Sequence, residues 1–168
     1  MWYVDSIGLI KTPRGVTIDG IQHPRNIFTL WSKADLAAIG IKPASITAVD
    51  QRYKNTGELT WDTSGAEAVG TYGTTDKVAA DLKTTMTTEV QSMAASRLAS
   101  SDWYTIREAE GGTACPADWK TYRAAVRTES NSKVTAIAAL ADLDAIKAFD
   151  AATPITAGWP NDPDYVAP

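Results

Sequence analysis

Apolar residues alternate with polar ones in the first part of the chain and recur at helical spacing further on. Val16–Ile18 alternates, and Asp19-Gly20 is a two-residue turn signal after which Ile21 resumes the alternation. Glycine tolerates positive φ at such a turn, and aspartate tolerates it better than most residues. The sequence therefore predicts a β-hairpin over Thr12–Phe28.

A short helical pattern interrupts the β-like pattern and then gives way to it again. Leu30–Gly40 has helical spacing, with Ser32 suited to the N-cap and Asp35 to the third helical position. Ser45–Tyr72 returns to short apolar runs separated by turn residues, which predicts an antiparallel meander. We therefore expect a small antiparallel β-rich module with one short helix over residues 1–74.

From residue 76 onward the hydrophobic period is that of helices. Asp76–Ala99 and Pro116–Ala141 are predicted to be long amphipathic helices, and Asp142 to cap a last short one. Between them Trp103–Arg107 resembles a short extended piece, and Thr153–Pro168 holds four of the eight prolines and is predicted to be extended. The stripe of the first long helix consists of Val78, Leu82, Met86, Val90, Met93 and Leu98.

These patterns predict an α+β fold with three parts. A β-rich module covers residues 1–74, an α-helical hairpin module covers residues 75–152, and a proline-rich extended tail covers residues 153–168. The many serines and threonines of the first long helix lower its intrinsic helix propensity. That helix must therefore be held by packing, either within the chain or against a second copy.

Composition and charge narrow the classes of partner. The formal net charge is -4, and residues 1–75 carry seven basic and seven acidic groups, so the deficit lies in the second half. A chain that binds nucleic acid is expected to carry a basic surface, so we expect no nucleic-acid partner. No segment approaches the roughly 18 apolar residues of a membrane span, so we expect no membrane partner either.

The residues that could carry chemistry do not form a recognisable catalytic or metal-binding pattern. Cys115 is the only cysteine, which excludes a disulfide within the chain. His23 is the only histidine, so it is the only histidine that could act as a base for a nucleophilic side chain. Paired acids lack the spacing of a metal loop, and Gly111-Gly112 lacks the lysine of a phosphate loop. We therefore predict no enzyme activity, no catalytic residue, no cofactor and no metal.

Residues 101–131 instead concentrate aromatic residues and arginines. Arginine, tryptophan and tyrosine dominate the energetics of protein interfaces. In an alternative interpretation, Trp103 and Trp119 fill a crevice between helices while the arginines cover its apolar edge. The candidate protein interface consists of Trp103, Tyr104, Arg107, Trp119, Tyr122, Arg123 and Arg127.

Three stretches resemble proteins of bacteriophage tails. Ser101–Arg107 (SDWYTIR) followed by Pro116–Arg127 (PADWKTYRAAVR) is similar to the carboxy-terminal region of the tail-fibre assembly protein family. Gly15–Gly40 resembles the hairpin-plus-helix opening of some tail accessory proteins. Trp159-Pro160 with Pro163 resembles their ending.

This resemblance implies a binding function rather than catalysis. It implies a structural or interaction protein of a bacteriophage virion, made in the host bacterial cytoplasm and located in the tail region. Its partners would be other tail or fibre proteins, and it would itself form a homo-oligomer. The alternative is a tail-fibre assembly chaperone that is absent from the mature particle.

Overall fold

The computed structural model describes residues 1–164, and the chain divides into two compact units. The first comprises Met1–Asp76 and the second begins at Lys77. The first is built mainly from strands and the second from helices. Each unit has its own buried residues, so each is described separately.

The β unit contains a mixed five-stranded sheet, a two-stranded sheet and two short helices. The order of strands in the larger sheet is β2-β1-β5-β7-β6, and β3 pairs with β4 in the smaller one. The strands and helices are β1 (Trp2–Val4), β2 (Gly8–Ile10), β3 (Val16–Ile18), β4 (Ile21–His23), α1 (Ile27–Leu30), α2 (Lys33–Ala38), β5 (Ile41–Ile46), β6 (Lys54–Asp62) and β7 (Ala68–Asp76).

Local sequence signals determine several turns and caps of this unit. Asp19 and Gly20 have φ of 50° and 80°, as a two-residue hairpin turn between β3 and β4 requires. The Ser32 side chain accepts a hydrogen bond from the Asp35 N–H, and the Asp35 carboxylate accepts one from the Ser32 N–H. This reciprocal capping box starts α2 as predicted.

The predicted small antiparallel module is wrong in its topology, although the chain is α+β. β5 pairs with β7 in parallel, with Ala44 opposite Ala68 and Ile46 opposite Gly70. β6 pairs only with β7, in antiparallel orientation, so β7 lies between its two sequence predecessors. The sheet also recruits β1 and β2, and a second short helix, α1, precedes α2.

The core of the β unit is formed by one face of β1, β2 and β5 together with β3 and the two short helices. Trp2 of β1 packs on this core, with its ring centroid 5.5 Å from that of Phe28. Burying these apolar side chains fixes the short strands and the one-turn helix, which would not be stable alone. The core consists of Val4, Ile10, Val16, Ile18, Ile27, Phe28, Leu36 and Ile41.

A tryptophan covers the backbone of β7 on the opposite face of the sheet. The Trp61 ring lies over Gly70, its cross-strand partner, and its centroid is 4.9 Å from that of Tyr3. A Cβ atom at residue 70 would lie 3.0 Å from the Trp61 ring and 3.2 Å from the Ile46 Cγ1. A side chain at residue 70 would therefore force the Trp61 ring or the Ile46 side chain to shift, whereas the φ of Gly70 is not in the left-handed region.

Replacement of Gly70 by alanine is expected to destabilise the β unit by about 1–3 kcal/mol, because the added methyl overpacks the Trp61 ring. Chemical denaturation of the full chain would measure this. Gly73→Ala on the same strand is the matched control, since its Cβ would meet only the Glu58 carbonyl at 3.7 Å. Equal losses for the two variants would contradict the packing of Trp61 on Gly70.

The helical unit contains four helices among its described residues: the two long helices and the last short helix that were predicted, and α4, which was not. α3 and α5 pack along each other, and α6 also contacts α3. Lys83 of α3 donates to the carbonyls of Ala138 (2.8 Å) and Leu140 (2.9 Å), placing a cation at the carboxy-terminal end of α5. The helices are α3 (Ala79–Ala99), α4 (Asp102–Ala109), α5 (Ala117–Ala139) and α6 (Leu143–Ala152).

Leu82, Met86 and Val90 of the predicted stripe are buried, but Val78 is 61% exposed, and two local predictions are wrong. Asp76 ends β7 and Val78 is the N-cap of α3, without a side-chain cap. Trp103–Arg107 is helical rather than extended. The buried residues of α3 are Leu82, Met86, Val90 and Ala94.

After α6 the chain continues without a further helix or strand to residue 164. Trp159 is buried, and its indole N–H donates to the Ile155 carbonyl at 2.8 Å. The Arg97 guanidinium lies 5.2 Å from the centroid of the Trp159 ring. Trp159 therefore attaches this segment to α3 through a cation–π contact. The end of the predicted extended tail, residues 165–168, lies outside the described residues.

Candidate protein interface

A buried arginine fixes where α4 begins. Arg123 of α5 is 6% exposed. Its Nη1 donates to the Leu98 carbonyl at 3.0 Å and to the Ser101 Oγ at 2.7 Å. Its Nη2 forms an ion pair with the Asp102 carboxylate at 2.8 Å. One guanidinium thus joins the end of α3 to the start of α4, which uses its planar array of donors.

Four aromatic side chains form a layer from the buried α5 to the surface of α4. Trp119 and Tyr122 meet edge to face at 5.6 Å, and the Tyr122 hydroxyl donates to the Arg97 carbonyl at 3.3 Å. Tyr104 lies 5.8 Å from Trp119, and Trp103 stacks on Tyr104 at 3.9 Å. These contacts give Trp103 a fixed support, although its own surface is exposed.

Arg107 holds the aromatic stack against the loop that follows α4. Its guanidinium carbon lies 4.7 Å from the Trp103 ring centroid and 5.4 Å from that of Tyr104. Its Nε donates to the Thr113 carbonyl at 3.0 Å, and its Nη2 to the Ala114 carbonyl at 3.5 Å. The side chain therefore positions neighbouring groups as well as carrying charge at the surface.

A second polar contact joins the same loop to α4. The Lys120 ammonium donates to Glu108 at 2.6 Å, and the Cys115 N–H donates to the other Glu108 oxygen at 3.3 Å. These two hydrogen bonds, the lysine's first, lower the pKa of Glu108 below its ordinary value of 4.5. The Cys115 thiol itself is buried.

Acidification is expected to break this contact. Because the pKa of Glu108 is lowered in the folded chain, its stabilising effect is complete above pH 4.5 and is lost as the pH falls through the folded pKa. Titration of the Glu108 carboxyl carbon by NMR should give a midpoint below 4.5. Lys120→Gln should move that midpoint upward, and an unchanged midpoint would contradict the role of the lysine.

One side of α4 remains exposed on top of this support. Trp103 is 50% and Ile106 57% exposed. Arg107 follows Trp103 by four residues, and Glu110, the C-cap of α4, follows Ile106 by four, so the four residues line one side of the helix. This set, called the α4 face, combines an apolar centre with a cation and an anion, a composition suited to contact with another protein.

The β unit carries a separate group of exposed apolar residues. Ile21 is 62%, Leu30 74% and Trp31 41% exposed. The Trp31 ring meets His23 edge to face at 5.7 Å, and Ile21 points to the same side of β4 as His23. We call Ile21, Leu30 and Trp31 the β4–α1 patch, and its exposed area is also suited to protein contact.

No protein-family model, no curated protein and no solved structure matches this chain. The resemblance of its motifs to tail-fibre assembly proteins therefore stays a prediction. Within residues 1–164, no three or more histidine, cysteine, aspartate or glutamate side chains group where a metal ion could be held. None of the helices formed by those residues is long and apolar enough to cross a membrane.

The seven residues predicted as an interface divide into three groups. Trp119, Tyr122 and Arg123 are buried among the helices, whereas Arg127 is exposed further along α5. Helical spacing gave a signal for Arg123, which follows Trp119 by four residues, but it does not distinguish Arg123 from Arg127, four residues further on. The remaining three lie on α4 within one cluster of contacts, and they are Trp103, Tyr104 and Arg107.

Sequence reasoning missed two residues of the α4 face, Ile106 and Glu110. Their relation to Trp103 follows from helical spacing, which could not be applied because Trp103–Arg107 was predicted to be extended. It also missed the β4–α1 patch. The signal for that patch was the apolar pair Leu30-Trp31 immediately before the helix cap at Ser32.

Proposed function

We propose that this chain is a non-enzymatic structural or interaction protein of a bacteriophage virion, a tail or tail-fibre component that binds neighbouring tail proteins. The observation that carries the binding function is the α4 face, where Trp103 and Ile106 stand exposed on a rigid support. The class of partner, other tail or fibre proteins, is inferred from the resemblance of Ser101–Arg107 and Pro116–Arg127 to tail-fibre assembly proteins.

The support under Trp103 favours binding in energetic terms. A side chain that is already held by Tyr104 and Arg107 loses little rotational freedom when a partner covers it. Tryptophan and arginine are also the residues whose truncation most often weakens a complex. The α4 face would contact a neighbouring subunit, and the β4–α1 patch would contact a different tail or fibre protein.

Quantitative mass spectrometry of purified, salt-washed particles of the phage that encodes this chain tests the proposal. Presence at a copy number that matches the symmetry of a tail or fibre supports a permanent virion component. Absence from particles, together with recovery in complex with a fibre protein from infected cells, supports the alternative of an assembly chaperone. Absence from both would contradict any binding function in the tail.

The role of the α4 face can be tested separately in the recovered complex. Ile106→Ala is expected to weaken retention of the partner by on the order of tenfold, since a central apolar contact is lost. Val69→Ala is the matched control, because Val69 is also exposed but lies on β7. Equal retention of the partner by both variants would place the contact elsewhere.

A further inference from the structure

The α4 face is complementary to itself. Its apolar pair, Trp103 and Ile106, is followed along the same side of α4 by one cation, Arg107, and one anion, Glu110. We propose that a second copy of this chain covers the face, with the two α4 helices antiparallel around a two-fold axis between Ile106 and Arg107. This inference rests on the proposed function, in which the α4 face contacts a neighbouring subunit.

Helix geometry determines which charges would meet. Residues rise by about 1.5 Å each along a helix, so an antiparallel copy centred at Ile106–Arg107 brings its Glu110 level with Trp103. The Arg107 guanidinium lies at that level already, 4.7 Å from the centroid of the Trp103 ring. The two-fold operation then forms the Arg107–Glu110 pair twice, as an isologous interface requires.

Neither charge is fully satisfied within its own chain. Arg107 uses Nε and Nη2 for the Thr113 and Ala114 carbonyls, which leaves Nη1 for an acceptor on another molecule. Glu110 is exposed and forms no ion pair with the described residues. Its partner in the second copy would be an arginine that the aromatic stack already orients, which lowers the entropy lost on pairing.

The size of the contact predicts its strength. One two-turn helix from each copy buries less than the roughly 1,200 Å² of a standard stable interface. We therefore expect a weak, concentration-dependent dimer rather than an obligate one. Its affinity would rise where many copies are held close together, as on a symmetric particle.

Sedimentation velocity of the purified full chain over a concentration series is the test. The wild type should shift from monomer to dimer as concentration rises. Ile106→Glu, which opposes two carboxylates at the axis, and Glu110→Arg, which opposes like charges, should each weaken the dimer at least about tenfold. Glu58→Arg makes the same change of net charge on exposed β6 and should leave the dimer unchanged.

Two results would overturn the inference. The first is a wild-type chain that stays monomeric into the millimolar range. The second is a Glu110→Arg variant that dimerises as the wild type does, which would show that another surface makes the contact. Both results are independent of the particle measurement, because a monomeric chain could still be found at fixed copy number in the tail. A chain that dimerises but is absent from particles and fibre complexes would instead contradict the proposed function.

Discussion

Replacement of Trp119 by alanine is expected to lower the free energy of unfolding of the helical unit by about 3–5 kcal/mol. Trp119 is 7% exposed and contacts both Tyr104 and Tyr122. Alanine would leave a cavity beneath α4, and the aromatic layer that supports Trp103 would lose its base. Urea denaturation of the full chain, followed by circular dichroism at the helical band, would measure the loss.

The matched control is Trp103→Ala, since Trp103 belongs to the same aromatic layer but is half exposed. Its removal costs one stacking contact and one cation–π contact, so the expected loss is about 1 kcal/mol. The pair of variants separates folding from binding, because Trp103→Ala should weaken a complex while leaving the chain folded. Equal losses of stability would contradict the burial of Trp119 and the exposure of Trp103.

Local features of the fold could be predicted because a few neighbouring residues determine them. The Asp19-Gly20 turn needs only two residues that tolerate positive φ. The caps of α2 and α6 each need a side-chain oxygen three residues before a free N–H, which Ser32 and Asp142 supply. The apolar stripe of α3 similarly follows from helical spacing alone.

Strand order could not be predicted in this way. The sequence predicts β5, β6 and β7 as a meander with β6 in the middle, but β6 lies at the edge of the sheet and β7 pairs with β5 in parallel. That choice depends on contacts between distant residues, among them the Trp61 ring on Gly70. Alternation of apolar residues indicates that a strand forms but not which strand is its neighbour.

The candidate site shows the same limit at the level of single residues. Trp103–Arg107 contains β-branched and aromatic residues that favour strands, yet it forms α4 because Asp102 pairs with Arg123 and Arg107 binds the following loop. Tertiary contacts outweigh a propensity of a few tenths of a kcal/mol per residue. Composition identified residues 101–131 as important. Only the fold distinguishes the exposed Trp103 from the buried Trp119 and Tyr122.

Replacement of Arg123 by alanine is expected to destabilise the helical unit by about 3 kcal/mol. The variant loses the packing of three methylenes and the charged hydrogen bonds to Leu98, Ser101 and Asp102. The loss should be smaller than the sum of these contributions, because the buried Arg123 Nε has no acceptor among residues 1–164 and its desolvation already costs stability in the wild type. Denaturation with urea gives the net value.

Two further variants divide this loss into its causes. Arg123→Met keeps most of the packing, and Asp102 is exposed enough to be hydrated while the Ser101 Oγ still donates to the Leu98 carbonyl. Methionine should therefore destabilise less than alanine. Arg127→Ala removes an exposed arginine one turn along α5 and should change stability by no more than about 0.5 kcal/mol. If Arg123→Met and Arg123→Ala lower the free energy of unfolding equally, the polar contacts rather than the packing hold α4 to α3. In that case α4 should lose protection from hydrogen exchange in both variants.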